Sequence, residues 1–303
     1  MASEVVSTKV KAIIDLSRGR QALLSVAQPA MGALVATGVL PSQRVIVLGL
    51  VAATSGYLAV FSLNDVLDVD IDSAALEAGK GDVQGYDIDT MFLRHPLARG
   101  DLSRSASLVW VTCLGAVSAV SAYLLAPVCL ALFVAAVALE VLYCSLRSVT
   151  WLKTVVSGLM VGVGGLAGWA AVAPLSPAAL PFLGFLALWE VGGRNLPNDL
   201  ADLADLAADS AVGLTTVATV FGARVSSLAI AWTAGATIVS LALLGQSAVV
   251  TVLSLTLGLW AMGLPAVALL RTPTSMQAGV YFNRASLLPA LVFVVMLVGV
   301  LAR

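Results

Sequence analysis

The sequence predicts an all-α, polytopic membrane protein with about nine transmembrane helices. Three observations lead there. Hydrophobic residues make up 60% of the 303 positions and charged residues only 11%, against roughly 25% charged in soluble domains. Mean hydropathy is +1.00, and a chain this apolar cannot cover a water-facing surface, so lipid must solvate much of it. Finally, the apolar stretches have the length of roughly 20 residues that a helix needs to cross a bilayer.

Taken in order, these stretches lie at 22–40, 45–65, 106–124, 127–146, 153–173, 179–198, 225–245, 247–270 and 280–301. Pro127, the segment Ala173–Pro177, Gly245-Gln246 and the turn Arg271–Thr274 punctuate them. They are continuously apolar, without the alternation of barrel strands, so helices are expected. Two are not clean lipid-facing spans: 127–146 carries Glu140, and 179–198 carries Glu190 and Arg194. The latter two are four apart, the spacing of an internal ion pair. We expect a single domain over 1–303, with 73–104 as a cytoplasmic loop. Its part 73–93 reads equally as a lid or as a plain solvated loop.

Charge placement supports this layout. With the N-terminus inside, Arg44 and Arg303 are the only ones of the 16 basic residues that fall on the outer face, as the positive-inside rule requires. An error of one helix would scatter the later charges. The expected location is therefore an inner, cytoplasmic-type membrane, with the C-terminus on the opposite side. The start of the chain lacks the layout of a signal peptide, so the spans themselves are expected to direct insertion. A formal net charge of −1 offers no footprint for nucleic acid, and no obligate protein partner is evident. Cys113, Cys129 and Cys144 show no CxxC spacing and read as free thiols.

The acidic residues carry the functional signal. Asn64-Asp65-Val-Leu-Asp68-Val-Asp70-Ile-Asp72 stands at the cytoplasmic end of the second span. Asn198-Asp199-Leu-Ala-Asp202-Leu-Ala-Asp205-Leu-Ala-Ala-Asp209 stands at the same end of the sixth. Asp65, Asp68 and Asp72 map onto Asp202, Asp205 and Asp209 with a constant offset of 137 positions. Residues three and four apart share a helix face, so each motif projects a column of carboxylates. Two facing columns repel unless cations sit between them. Mg²⁺ takes oxygen ligands and bridges carboxylates to phosphate oxygens. A diphosphate held through Mg²⁺ is therefore the expected ligand. One such cluster alone would read as a solvated helix end; two matched clusters on one face do not.

These motifs resemble those of the UbiA superfamily of intramembrane prenyltransferases. Asn64–Asp72 resembles its first aspartate motif, and Asp202-x-x-Asp205-x-x-x-Asp209 followed by Gly213 and Thr216 resembles its second. His95-Pro96-Leu97-Ala98-Arg99-Gly100-Asp101-Leu102-Ser103 resembles the P-L-x-x-G-x-x-S segment that follows the first motif. Tyr143 with Arg147, then Lys153, resembles the family's tyrosine and basic pair. Asn198-Asp199 adds an upstream repeat, so either Asp199 or Asp202 leads the second motif.

The resemblance implies a bundle around a central cavity open to lipid, an isoprenyl diphosphate donor, Mg²⁺, and a small hydrophobic or aromatic acceptor. A quinone precursor is favoured over a lipid headgroup. It implies metal ligands among Asn64, Asp65, Asp68, Asp72, Asp199, Asp202, Asp205 and Asp209, of which Asp68, Asp72, Asp205 and Asp209 with Tyr143 would be catalytic. Arg147 and Lys153 would grip the diphosphate, Asn64 would contribute to donor binding, and Tyr143 would stand near the allylic carbon. Arg147 and Lys153 read equally as positive-inside markers, and Tyr143 as an interfacial belt residue. Glu140, an intramembrane acid, is a functional candidate by position, orienting the acceptor or taking its proton. His95 precedes Pro96 in a polar loop and reads as local structure rather than a metal ligand. A terpene cyclase on the same scaffold, and a cation-coupled secondary transporter, are the competing readings. The transporter is disfavoured because most acids cluster at one interface rather than at the midplane.

Overall fold

The computed structural model describes residues 2–77, 95–201 and 213–303. Every regular element among them is helical. The chain runs through α1 (Ala2–Leu16), α2 (Gly19–Ser25), α3 (Ala27–Thr37), α4 (Gln43–Glu77), α5 (Arg104–Leu125), α6 (Pro127–Ser145) and α7 (Lys153–Ala170). It continues through α8 (Leu180–Trp189), α9 (Leu196–Ala201), α10 (Val217–Ala242), α11 (Ala248–Gly258), α12 (Leu264–Arg271), α13 (Ser275–Ser286) and α14 (Leu288–Leu301). Seven helical stretches among the described residues are long and apolar enough to cross a membrane. They match the second, third, fourth, fifth, seventh, eighth and ninth predicted spans. The first and sixth are present as shorter, interrupted helices.

Proline explains the interruptions. It cannot donate to the carbonyl four residues back, and its ring crowds that carbonyl. Pro29 lies just past the α2/α3 break. The sixth span passes from α8 through a π turn at Glu190–Asn195 into α9, and the eighth through a π turn at Leu259–Gly263 into α12. Both turns end at a Leu-Pro pair, Leu196-Pro197 and Leu264-Pro265. In the last span, Pro289 leaves the Ala285 carbonyl without its helical donor, and the Trp189 indole donates to it at 2.7 Å. Within the first π turn, Arg194 pairs with Glu190 (3.6 Å), whose other oxygen accepts from Ser157 (3.2 Å) and Asn195 (2.9 Å). The expected internal ion pair is thus formed.

The main core gathers Met31, Phe182, Phe185, Trp189, Ile230, Met262 and Tyr281, all fully buried, from α3, α8 and α10–α13. Outward-facing positions stay apolar, as at Val109, Val120, Val134, Val239, Val252 and Val298, which suits lipid rather than water. Helix α7 approaches its neighbours through glycine. A Cβ on Gly158 would lie 2.8 Å from the Ala187 carbonyl, and one on Gly168 would run into the Pro29 backbone. Close packing of this kind is the usual means of helix association where lipid removes the hydrophobic drive. Gly168→Ala is therefore expected to lower the thermal midpoint of the detergent-solubilised protein. The backbone clash costs about 1–3 kcal/mol and outweighs the gain of about 1 kcal/mol in helix propensity. Gly49→Ala, whose Cβ would meet no neighbour within 4 Å among the described residues, is expected to leave the midpoint unchanged or raise it; equal midpoints for both variants would contradict this packing.

Helix α4 positions the site. Its 35 residues give a length of about 52 Å at 1.5 Å per residue, well beyond the roughly 30 Å hydrocarbon core. The first aspartate motif is therefore carried on a continuous helix projecting past the apolar layer. Residues 73–77, where the loop is expected to begin, instead complete α4. Residues 78–94, which include most of the lid candidate, lie outside the described residues. Residues 95–103 form a turn that leads to Ser103, whose side chain caps α5 by accepting from Ala106 N–H.

A cavity of about 400 Å³ lies between α3, α4, α5, α6, α7 and α14. Its wall is almost wholly apolar and includes Ala30, Gly49, Ala53, Tyr57, Phe133 and Gly164, and on α4 it extends as far as Val60. Val60 precedes Asn64 by four residues, about 6 Å along the helix.

Candidate active site

The motif on α4 divides as a helical period requires. Asp65, Asp68 and Asp72 are 5%, 1% and 7% exposed, whereas Asp70 faces outward. Each inward carboxylate meets a cation or cation-forming group from elsewhere in the chain. Asp68 is paired with Arg147. Asp65 accepts from Arg18 (3.3 Å), and the same guanidinium nitrogen donates to Asn64 Oδ1 (3.1 Å). Asp72 lies 2.9 Å from His95 Nδ1. Burying three carboxylates without such partners would be prohibitive.

The next layer is built from α6. Glu140, buried inside the helix, accepts from Asn64 Nδ2 at 2.7 Å and from the Cys144 thiol at 3.5 Å. Glu140 thus fixes the amide so that Oδ1 faces Arg18. Cys144 also contacts Asn64 (3.4 Å) and Asp68 (3.9 Å), so this thiol belongs to the polar site rather than serving as a plain small hydrophobe. Cys129, by contrast, is buried and donates to the Ala167 carbonyl.

Arg147 sits in the connection between α6 and α7. Burial disfavours its charged form, but Asp68 foremost outweighs that and holds its pKa above the ordinary value, so it is a permanent cation. Its Nε is buried with no hydrogen-bond partner among the described residues. Lys153, the first residue of α7, is buried, lies 3.8 Å from Asp199 and stands 5.5 Å above the centre of the Tyr143 ring. Thr215 returns to the same segment: its N–H donates to the Arg147 carbonyl (2.9 Å) and its hydroxyl to the Ser148 carbonyl (3.0 Å).

The structure therefore brings together Asn64, Asp65, Asp68, Asp72, Glu140, Tyr143, Arg147, Lys153 and Asp199. Asp202, Asp205 and Asp209 lie outside the described residues. Asp199 and Thr215, which precede and follow them in sequence, both contact the Arg147–Lys153 segment. Two participants escape the sequence reading. Arg18, which reads only as a topology charge, adopts a left-handed conformation (φ 44°) at the α1/α2 break and reaches two motif residues. Ser17 helps hold that break, pairing with Ser62 and accepting from Trp110, each at 2.9 Å. His95, read as local structure, instead touches the motif. Its left-handed φ of 53° ahead of a proline is a conformation that neither β-carbon sterics nor the following ring favours.

Asn64, Asp65, Asp68 and Asp72 offer a set of hard oxygen donors, the chemistry that Mg²⁺ prefers. Asp65, Asp72 and His95 each place a ligand atom within 4.8 Å of the others.

Comparison with known proteins agrees with this architecture. The chain resembles the structure of a UbiA homologue from Aeropyrum pernix K1, with a TM-score of 0.71, 18% identity, and 91% of this chain and 97% of that one covered. A UbiA homologue from Archaeoglobus fulgidus bound to DMAPP and Mg²⁺ is similar over 94% of this chain and 99% of that one, with a TM-score of 0.65 and 17% identity. A structure described as a digeranylgeranylglyceryl phosphate synthase gives a TM-score of 0.67 at 16% identity, covering 97% and 99% of the two chains. No curated protein matches the sequence. The profile of the UbiA prenyltransferase family matches residues 25–287, most of the length, and the chain belongs to that family.

Proposed function

We propose that this protein transfers a prenyl group from an isoprenyl diphosphate to a small hydrophobic or aromatic acceptor, a quinone precursor being favoured over a lipid headgroup, and releases diphosphate in a Mg²⁺-dependent reaction. One observation carries the reading: a buried cluster of carboxylates and cations begins about one helical turn along α4 from Val60, which lines an apolar cavity of about 400 Å³. Such a site suits a molecule with a polyanionic head and a hydrocarbon tail. The homologues bound to DMAPP or GPP together with Mg²⁺ support it.

Asn64, Asp65, Asp68 and Asp72 would hold Mg²⁺ on one side, with Asp199, Asp202, Asp205 and Asp209 on the other. Bound there, the ions would neutralise charge developing on the leaving diphosphate. Arg147 and Lys153 bind the diphosphate oxygens, and the Arg147 Nε, without a partner among the described residues, is a donor ready for that anion. Lys153 lies over Tyr143, so a diphosphate on Lys153 brings the allylic carbon toward that ring, whose π face favours a developing cation. Glu140 keeps Asn64 oriented. The apolar cavity takes the tail and excludes water, which would otherwise capture the cation. The site and the N-terminus face the cytoplasm, and the C-terminus the opposite side, on the strength of the basic-residue distribution.

The test uses the full chain in lipid nanodiscs with isoprenyl diphosphates from dimethylallyl to geranylgeranyl, Mg²⁺ and total membrane lipid as acceptor source. The expected result is diphosphate release that stops on chelation with EDTA, and a prenylated acceptor in the lipid extract. No release with any donor overturns the proposal. A cyclised hydrocarbon or alcohol formed without acceptor establishes the cyclase reading instead.

A further inference from the structure

We infer that His95 is a ligand of the divalent-cation site, so that this chain offers a mixed nitrogen–oxygen set which takes Mn²⁺ or Co²⁺ more readily than an all-carboxylate cluster does. The inference rests on the prenyltransferase reading for the site's existence, and goes beyond it in donor set and metal preference.

The geometry is specific. His95 Nδ1 lies 2.9 Å from Asp72 Oδ2, and Asp65, Asp72 and His95 each present a ligand atom within 4.8 Å of the other two. Both carboxylates are buried, and His95 is partly so. These atoms come from α4 and from the turn before α5, so the arrangement depends on how that turn is fixed. Leu97 is buried against Leu16 of α1 and Val66 of α4. The backbone closes around it, with Arg99 N–H donating to the His95 carbonyl (3.1 Å) and Asp101 N–H to the Pro96 carbonyl (2.9 Å). Anchored in this way, the turn delivers the imidazole to the outer end of the aspartate column while Arg147 occupies Asp68 further in.

The consequence follows from ligand softness. Carboxylate and water ligands suit Mg²⁺, whereas imidazole suits later divalent metals, whose affinity for such a ligand rises along the first transition row. A site made only of Asn64 and the aspartates discriminates in that direction less steeply, because oxygen donors gain less than imidazole from the later metals.

His95 is the only histidine in the sequence, which permits a direct test. The full chain, purified with a tag that lacks histidine, is grown with ¹⁵N-imidazole histidine and loaded with Mn²⁺ in nanodiscs without donor. Pulsed electron paramagnetic resonance is expected to show ¹⁵N hyperfine coupling of a directly bonded nitrogen. Bound Mn²⁺ without that coupling overturns the inference and leaves His95 as a hydrogen-bond partner of Asp72. In a separate titration, His95→Ala is expected to weaken Mn²⁺ by roughly 10–100-fold and Mg²⁺ by a clearly smaller factor; equal losses for both ions also overturn it. Mg²⁺-dependent diphosphate release is measured on the same preparation. If release proceeds but Mn²⁺ does not bind, the ligand assignment fails alone; if release is also absent, the functional reading fails with it.

Discussion

Asp68→Asn is expected to reduce diphosphate release by on the order of 10³-fold, a loss comparable to removing a principal transition-state electrostatic contact. Asp68 is 1% exposed and paired with Arg147. It stands between Asp65 and Asp72 on the inward face of α4. Asparagine keeps the shape and removes the charge, so the cation site loses a central carboxylate while the helix surface is preserved. The variant also leaves a partly buried guanidinium without its counter-charge, which costs about 3 kcal/mol and should appear as a lower thermal midpoint. Asp70→Asn is the internal comparison. It lies two residues away on the same helix but faces outward, and is expected to turn over like the parent protein. Initial rates of diphosphate release at saturating donor, with expression and monodispersity checked in parallel, decide the matter. Equal losses at positions 68 and 70 would mean that the motif acts as bulk negative charge rather than as a site.

The division between Asp68 and Asp70 was legible from spacing alone, because residues three and four apart must share a face once the segment is helical. Continuous hydropathy likewise marked the seven stretches long enough to span a membrane. It could not mark the breaks in the first, sixth and eighth, because side-chain polarity carries no record of a missing backbone donor. The Leu-Pro pairs at Leu196-Pro197 and Leu264-Pro265 held that record, since each stands where a π turn resolves into α-helix. The contacts of Arg18 and His95 were illegible for a different reason. Arg18 meets Asn64 and Asp65 across 46 and 47 residues, and His95 reaches back to Asp72 from the far side of an intervening segment. No local pattern specifies such meetings; they follow from how α1 and the 95–103 turn pack on α4 through Leu16, Val66 and Leu97. Arg147 and Lys153 fell between the two cases. Their positions at helix ends fit a topology signal as well as a binding role, and burial beside the motif is what separates the two.

That separation supplies the second large effect. Arg147→Gln is expected to lower diphosphate release by about 10²–10³-fold, while Arg147→Lys retains part of the rate, because lysine keeps the charge but loses the planar fork that matches phosphate oxygens. A charge that served only to orient the chain would behave otherwise: glutamine would alter insertion, and lysine would restore it completely. The decisive measurement combines Arg147→Gln with Asp68→Asn. The two side chains are in direct contact and, under the proposed function, would act on the same leaving group, so their effects should not add. The double variant is expected to be no slower than the worse single variant, and more stable than either, because neither ion is then left buried alone. Fully additive losses in rate would show that Arg147 and Asp68 act independently. That outcome would overturn their joint action on the diphosphate.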